Sequence, residues 1–536
     1  MRKIAIASTL TMLSLILAGC SIQSSTGISA PDATSDNVES APLNLPSVKD
    51  VSPGDNINAK PDFQYKTIEE FYDQEIRWND CAEIYKCAPI FAPLDWENPE
   101  AGMVYIALFM LPAESENPKG SLLINPGGPG GSGIDILYYA GTSITTEEVR
   151  KNYNLVGFDP RGVGFSDSVY CGPDALLDIA LIAPGIIEDL GSPKDLAKSR
   201  EVAARLAEGC SNGTGELLQY VDTGSAARDM DLIREGLGDD KLNYLGFSYG
   251  TQLGSTYAAL FPDKVGRLVL DGAVDPTETP EEGTIGQAAG FELAFNNYVK
   301  DCLSTSSCPV PGETVQEVLD EVKKILLSLE SKPLPTDLDM ELGVWGGLVG
   351  IIANLYSKGN WATMSSALRS AYEGDGTGLL QSTYRYYERS PDGTYLTKMP
   401  VSNIAINCAD GRYQQDAEAV RKTNEAIMLA TPTFGRYFAN PHISCYGWEY
   451  EPRPTRELNF ATELANPVLV IGTTGDPATP YENAVALSQL LNKGVLLTFE
   501  GEGHTVYANQ SDCIDKIVDD YLIRDIVPEN GITCKG

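Results

Sequence analysis

At ~150 residues per domain, 536 residues correspond to roughly three or four folding units, or to one large α/β domain carrying a substantial insertion. Hydrophobic residues make up 43% and charged residues 21%, an ordinary globular usage that excludes disorder, collagen and coiled coil for the bulk of the chain. The 74 acidic against 39 basic residues give a net charge of −35, the reverse of the clustered Lys and Arg that a nucleic acid partner requires. Only two histidines occur, His442 and His504, which excludes a His-rich metal site and leaves two candidates for any imidazole chemistry.

Residues 1–20 read MRKIAIASTLTMLSLILAGC. Arg2 and Lys3 precede an apolar stretch, Ile4 to Leu17, shorter than the roughly 20 residues of a membrane span. The stretch ends Leu17-Ala18-Gly19-Cys20, which resembles the bacterial lipobox. That resemblance implies that residues 1–19 are a lipoprotein signal peptide and that the Cys20 thiol is acylated after cleavage. Residues 20–60 are rich in Ser, Pro, Asp and Asn; they bury too little apolar area to offset their ordering entropy and read as a flexible tether. No later run reaches about 18 uninterrupted apolar residues, so the expected molecule is a soluble body held at the outer face of a bacterial membrane by its lipid alone.

Of 11 cysteines, ten remain beyond Cys20, an even number suited to an oxidising compartment. They fall in neighbouring couples: Cys81 and Cys87, Cys171 and Cys210, Cys302 and Cys308, Cys408 and Cys445, Cys513 and Cys534. Spacing does not fix connectivity, and pairing within each couple is the working expectation. No CxxC occurs, and neither a metal nor a cofactor is expected.

Apolar runs with turn-like ends predict buried parallel strands at 121–125, 155–158, 242–246, 267–270, 468–471 and 495–499. Ala226 to Leu237 carries helical periodicity and stops at Gly238. These elements predict an α/β fold with a mostly parallel sheet covered on both faces. The interval 277–456 differs. Phe291, Ala294, Phe295 and Tyr298 recur at helical spacing, as do Val315, Val318, Leu319, Val322, Ile325, Leu326 and Leu329. The domain reading is therefore a core over 61–276, a helical lid over 277–456, and the rest of the core over 457–536.

The sharpest motif is Gly246-Phe247-Ser248-Tyr249-Gly250, between a predicted strand and a helix of small residues. This is G-x-S-x-G in its required setting: the serine sits in a strained turn, so the flanking positions must lack a Cβ. Ser248 is the expected nucleophile and His504, on the loop after the last strand, its base. His442, inside the lid, is read as structural or exposed. Asp476, after the strand ending at Ile471, is assigned as the acid that fixes the imidazole tautomer, with Asp271 as competitor. The loop Asn125-Pro-Gly-Gly-Pro-Gly-Gly-Ser-Gly133 offers an oxyanion hole, in which the N–H groups of Gly128 and Tyr249 would be the donors, each worth ~3 kcal/mol of barrier. That loop also matches G-x-G-x-x-G at Gly128, Gly130 and Gly133, with Asp159 ending the next strand, so a dinucleotide-dependent oxidoreductase is the enzymatic rival. Against it stand Pro160-Arg161-Gly162 after that acid and the need for cofactor outside the membrane.

The Asn125–Gly133 loop, Gly157-Phe-Asp-Pro-Arg-Gly-Val-Gly-Phe-Ser166 and Tyr244-Leu-Gly-Phe-Ser-Tyr-Gly-Thr-Gln252 together resemble the secreted tripeptidyl aminopeptidases of the proline iminopeptidase family. The tail around Asp476 and His504 resembles their C-terminal TAP-like region, and the likeness spans roughly residues 65–534. It implies an α/β-hydrolase with a helical lid that releases short peptides from free N-termini by serine catalysis. By position it gives Ser248, Asp476 and His504 as the triad, Gly128 and Tyr249 as oxyanion donors, and Arg161 as a structural tie. Relatives that release single residues carry His-Gly-Gly-Pro-Gly; Pro126 stands at that histidine here, which disfavours single-residue proline release. An exopeptidase of this kind anchors the substrate's ammonium group, usually on lid carboxylates, and Glu292 and Asp410 are the candidates. Tyr384, Tyr386, Tyr387, Trp345 and Trp361 are read as lid core before apolar subsite.

The resulting expectation is an exported serine exopeptidase that cuts di- or tripeptides from peptide N-termini. A carboxylesterase with the same triad and a non-catalytic peptide-binding lipoprotein are the alternatives.

Overall fold

The computed structural model describes residues 63–536, apart from 83, 183–186 and 188. The expected signal peptide, Cys20 and the tether over 20–60 lie outside the described residues.

Ten strands form one sheet among the described residues. They are β1 (Asn79–Ala82), β2 (Tyr85–Asp95), β3 (Asn98–Leu111), β4 (Ser121–Asn125), β5 (Asn154–Phe158), β6 (Leu242–Phe247), β7 (Val265–Asp271), β8 (Val468–Gly475), β9 (Gly494–Glu502) and β10 (Ile532–Lys535). Their spatial order is β1-β2-β3-β5-β4-β6-β7-β8-β9-β10. From β5 to β10 every pairing is parallel, while β1, β2 and β3 join antiparallel at one edge. Chain order departs from spatial order where β4 inserts between β5 and β6, and an open sheet places its site at the C-terminal ends of strands near such a crossover. All residues of β4 are buried, as are four of five in β5, because both sheet faces are covered. One face carries Leu123, Val156, Tyr244 and Leu268; the other carries Leu122, Leu155, Leu245 and Val269.

The helical interval between β7 and β8 has its own apolar core. Phe291, Ala294, Phe295 and Tyr298 of helix Pro280–Ser304 meet Val318, Leu319, Val322 and Leu326 of helix Val315–Ser331 there. Each helix begins with a capping box, Thr279 with Glu282 and Thr314 with Glu317, which supplies acceptors for otherwise orphaned N–H groups. Helix Met399–Asp410 behaves differently: Val401, Ala405, Ile406 and Cys408 pack into the core under the sheet. Beyond helix Gly435–Phe438 only the short 3-10 turn Pro441–Ile443 precedes β8. A further helical pair, Asp174–Leu181 and Pro193–Thr214, lies between β5 and β6, where no insertion was expected.

Disulfides join Cys81–Cys87, Cys171–Cys210, Cys302–Cys308, Cys408–Cys445 and Cys513–Cys534. Among the described residues no helix is long and apolar enough to cross a membrane.

Arg161 is 0% exposed. It forms a fork with Asp229, Nε to Oδ2 at 2.7 Å and Nη2 to Oδ1 at 2.6 Å, and donates further to the carbonyls of Pro93, Leu94 and Tyr220. It thereby ties the loop after β5 to β2 and to helix Thr223–Gly236. Arg161→Met strands a buried carboxylate, so urea denaturation should show a loss of about 3–5 kcal/mol, partly recovered in Arg161→Met/Asp229→Leu. Equal stability of Arg161→Met and the parent would contradict that role.

Candidate active site

β6 ends at Phe247 and helix Tyr249–Leu260 starts two residues later, so Ser248 occupies the turn between them. Its φ of 56° and ψ of −126° lie where a side chain is strained, a conformation that neighbouring contacts must enforce. The Ser248 N–H donates to the Asp271 carbonyl at 2.9 Å. A Cβ on Gly246 would lie 2.5 Å from the Gly250 carbonyl oxygen, and one on Gly127 would lie 2.9 Å from the Ser248 Cβ. Glycine at these positions lets the elbow close and the loop after β4 press against it.

That loop is held by Asn125, whose Oδ1 accepts from the Gly127 N–H at 2.9 Å. The N–H of Gly128 makes no hydrogen bond among the described residues; that of Tyr249, at the first position of its helix, has none either. Both are donors available to a ligand beside Ser248. Asp159, by contrast, is fully committed: its carboxylate accepts from Ser132 Oγ at 2.7 Å, Ile134 N at 3.1 Å and Phe165 N at 2.7 Å. It is buried, and the acid required by the dinucleotide reading is consumed in bracing the loop.

Asp476, 1% exposed just past β8, meets His504 Nδ1 at 2.9 Å through both carboxylate oxygens. The carboxylate makes Nδ1 the protonated nitrogen, which leaves Nε2 as acceptor. Asp476 is itself fixed by the N–H groups of Ala478 and Thr479 and by Thr479 Oγ1 at 3.0 Å. Thr479 Oγ1 also lies 3.3 Å from His504 Nδ1. Thr479 drew no assignment in the sequence; its three-residue spacing from Asp476 is the signal. His504 Nε2 is buried without a partner, and the Ser248 hydroxyl makes no hydrogen bond among the described residues. The two groups flank one strand end: a Cβ on Gly272 would lie 3.0 Å from His504 Cε1, one residue beyond the carbonyl that holds Ser248. Burial works against protonation of the imidazole, but Asp476 and then Asp271 outweigh it and raise the His504 pKa.

Asp271 does not meet the imidazole nitrogen. Its Oδ2 accepts from Val506 N at 2.9 Å and Tyr507 N at 2.8 Å, so it clamps the loop that carries His504. Burial pushes its carboxyl up to about 6. His442 sits in the 3-10 turn, buried, beside Arg200, whose charge adds to burial in lowering its pKa.

The amine-anchor candidates part company. Glu292 accepts from Thr431 Oγ1 at 2.6 Å, Thr433 N at 3.1 Å and Thr433 Oγ1 at 2.8 Å. Through these bonds it braces the helical block. Asp410 lies beside the elbow: it accepts from the Thr223 N–H and hydroxyl, and Thr223 Oγ1 shares a hydrogen bond with Tyr249 OH. Burial pushes its carboxyl up to about 8, and it forms no ion pair among the described residues.

The aromatic residues also divide. Tyr356 stands edge-on to His504 at 5.4 Å, its carbonyl accepts the His504 N–H at 2.8 Å, and its hydroxyl meets that of Tyr386 at 3.4 Å. Tyr384 stacks under Arg389, Trp361 packs on Tyr298, and Trp345 on Tyr437, all within the helical block. Among the described residues no cluster of His, Cys, Asp and Glu has metal-binding geometry.

The sheet, the strained elbow serine and the buried Asp–His couple define an α/β-hydrolase of the serine type. A family model described as TAP-like protein matches residues 431–534, the segment that carries Asp476 and His504. The chain is 35% identical over 459 residues to Serine protease Hip1 of Mycobacterium tuberculosis, covering 84% of this chain and 87% of the relative. It is 32% identical to Carboxylesterase B of the same organism, covering 85% and 89%. It is 29% identical to Tripeptidyl aminopeptidase of Streptomyces lividans, covering 86% of each. The chain belongs to the TAP-like serine peptidase family that these relatives represent.

Proposed function

We propose that the protein is an exported serine exopeptidase that releases di- or tripeptides from free peptide N-termini. Ser248 Oγ attacks the scissile carbonyl carbon and its proton passes to His504 Nε2, while Asp476 holds Nδ1–H and stabilises the imidazolium. The N–H groups of Gly128 and Tyr249 take the oxyanion, the imidazolium protonates the departing amine, and water then cleaves the acyl ester at Ser248. The helices between β7 and β8 act as a lid, with Tyr356 and Tyr386 covering the imidazole. Five disulfides support an oxidising compartment, and Cys20 is the proposed lipid attachment.

The observation that carries the amino-terminal specificity is Asp410, a half-buried carboxyl that reaches the elbow through Thr223 and Tyr249 and forms no ion pair among the described residues. A substrate ammonium supplies the cation, and the acyl unit spans the distance from Asp410 to Ser248. Free-amine peptide amides should therefore be cleaved and their N-acetylated twins left intact. Asp410→Asn keeps an acceptor for Thr223 N–H but not the charge; kcat/KM for the free-amine substrate should fall about 100-fold, on the order of 2.7 kcal/mol. The pH dependence has a definite sign. Below about 8 Asp410 must lose a proton to hold the ammonium, so kcat/KM rises toward pH 8; above it the substrate amine itself deprotonates. Equal cleavage of free and acetylated substrates would replace this reading with an esterase or endopeptidase, the former in keeping with the relative named Carboxylesterase B.

A further inference from the structure

A cavity of about 740 Å³ opens between helix Gly133–Ala140 on the core side and the end of helix Thr377–Tyr387 with the segment that follows it. Its walls include Tyr139, Phe165, Leu338 and Leu396, and Tyr139 and Leu396 are 81% and 72% exposed. Large apolar side chains grouped at that exposure around a concave surface mark a binding surface more often than chance. Two carboxylates, Asp135 and Glu388, line the same cavity. Burial and then the charge of Glu388 raise the Asp135 pKa, and among the described residues neither carboxylate forms an ion pair. The buried Arg389 does not serve, because its guanidinium is shared by Asp178 and Asp339 at 2.7 Å each. Arg385, exposed and bonded to Ser382 Oγ, has donors left for a main-chain carbonyl.

Both walls run directly into the elements around Ser248. Ser132 caps helix Gly133–Ala140 and ends the loop that carries Gly128. On the other side Leu396 and Thr397 lead into helix Met399–Asp410, whose Asn403 Nδ2 donates to the Pro129 carbonyl at 3.0 Å. Helix Thr377–Tyr387 itself divides the two spaces: Tyr384 and Arg385 line the cavity, while Tyr386 meets Tyr356 over His504. A helix is about 10 Å across, the span of roughly three extended residues.

We propose that this cavity is an exosite that holds the polypeptide on the far side of the scissile bond, taking an extended segment with apolar side chains and a Lys or Arg among them. The proposal rests on the exopeptidase reading for its direction, since Asp410 occupies the amino-terminal end of the substrate. The apolar walls take the aliphatic or aromatic side chains, Asp135 and Glu388 take the cation, and Arg385 takes a backbone carbonyl. Nothing covalent happens there; the exosite raises the residence of long substrates and leaves the chemistry at Ser248 untouched.

The test compares a tripeptide amide bearing a small chromogenic leaving group with a 12-residue peptide carrying Leu and Lys beyond the scissile bond. Leu396→Ser, Tyr139→Ser and Glu388→Gln change exposed side chains outside the reacting centre. Each should raise KM for the long peptide about tenfold and leave the short amide within twofold. Changing the peptide's Lys to Glu should weaken the parent enzyme and have less effect on Glu388→Gln. Equal effects on both substrates, or none on either, would overturn the exosite. Binding of the labelled 12-residue peptide to Ser248→Ala, read by fluorescence anisotropy, separates the two proposals. If the parent enzyme cleaves neither substrate, the exopeptidase reading fails, and the exosite then stands or falls on whether Leu396→Ser weakens that binding.

Discussion

Ser248→Ala should lower kcat by about 10⁵–10⁶-fold while the fold, read by circular dichroism and urea unfolding, stays intact. The alanine removes only the attacking oxygen. The strained turn survives because it is imposed from outside, by the Asp271 carbonyl on the Ser248 N–H and by Gly127 packed on the Cβ. What remains is catalysis by two N–H donors and by binding, which together still exceed water by about 10³–10⁴-fold. A loss of under tenfold would mean that the hydroxyl at 248 is not the nucleophile.

Asp476→Asn should cost about 10⁴-fold in kcat. An amide in that position presents an N–H to Nδ1 and favours the opposite tautomer, so Nε2 carries the proton and no longer accepts one. Asp271 cannot substitute, since its Oδ2 is held by the backbone of Val506 and Tyr507. The pH profile of kcat, read at saturating substrate where Asp410 is already paired with the ammonium, moves with a definite sign. In the parent, Asp476 raises the imidazole pKa above its ordinary value, so the activity lost on acidification disappears from a point above that value. In Asp476→Asn the burial that disfavours imidazolium is left less opposed, and the acid limb should shift to lower pH. Thr479→Val should reproduce part of this shift, because the Thr479 hydroxyl also holds Asp476. An unmoved acid limb in Asp476→Asn would contradict the assignment of acid and base.

The parallel strands around the elbow were legible because residues buried on both sides read as unbroken apolar runs: the run at 121–125 is β4 residue for residue. The antiparallel strand β2 was not legible, because Pro89 and Pro93 interrupt it. β3 was legible but overlooked: its second half, 104–111, is an unbroken apolar run like those of the parallel strands, behind an exposed polar start. The helices at 174–181 and 193–214 were missed because the longer of them is polar along most of its length and buries only Leu206, Ala207, Gly209 and Cys210. Within the site, the chain order Ser248, Asp476, His504 and the strand preceding each were readable from motif context. That order also favoured Asp476 over Asp271, which follows a core strand as well; what the sequence did not show is that Asp271 clamps the loop carrying His504. Glu292 and Asp410 looked alike in sequence for a related reason. The bonds that separate them run to Thr431 and Thr433 in one case and to Thr223 in the other, contacts between segments far apart in the chain.

The most direct test is mass spectrometry of the protein after treatment with a fluorophosphonate probe, followed by mapping of the modified peptide. The account predicts a single adduct per chain, on Ser248, absent in Ser248→Ala and slowed in Asp476→Asn. Hydrolysis of peptide amides that persists with Ser248 unmodified, or an adduct carried by a different serine, would contradict it.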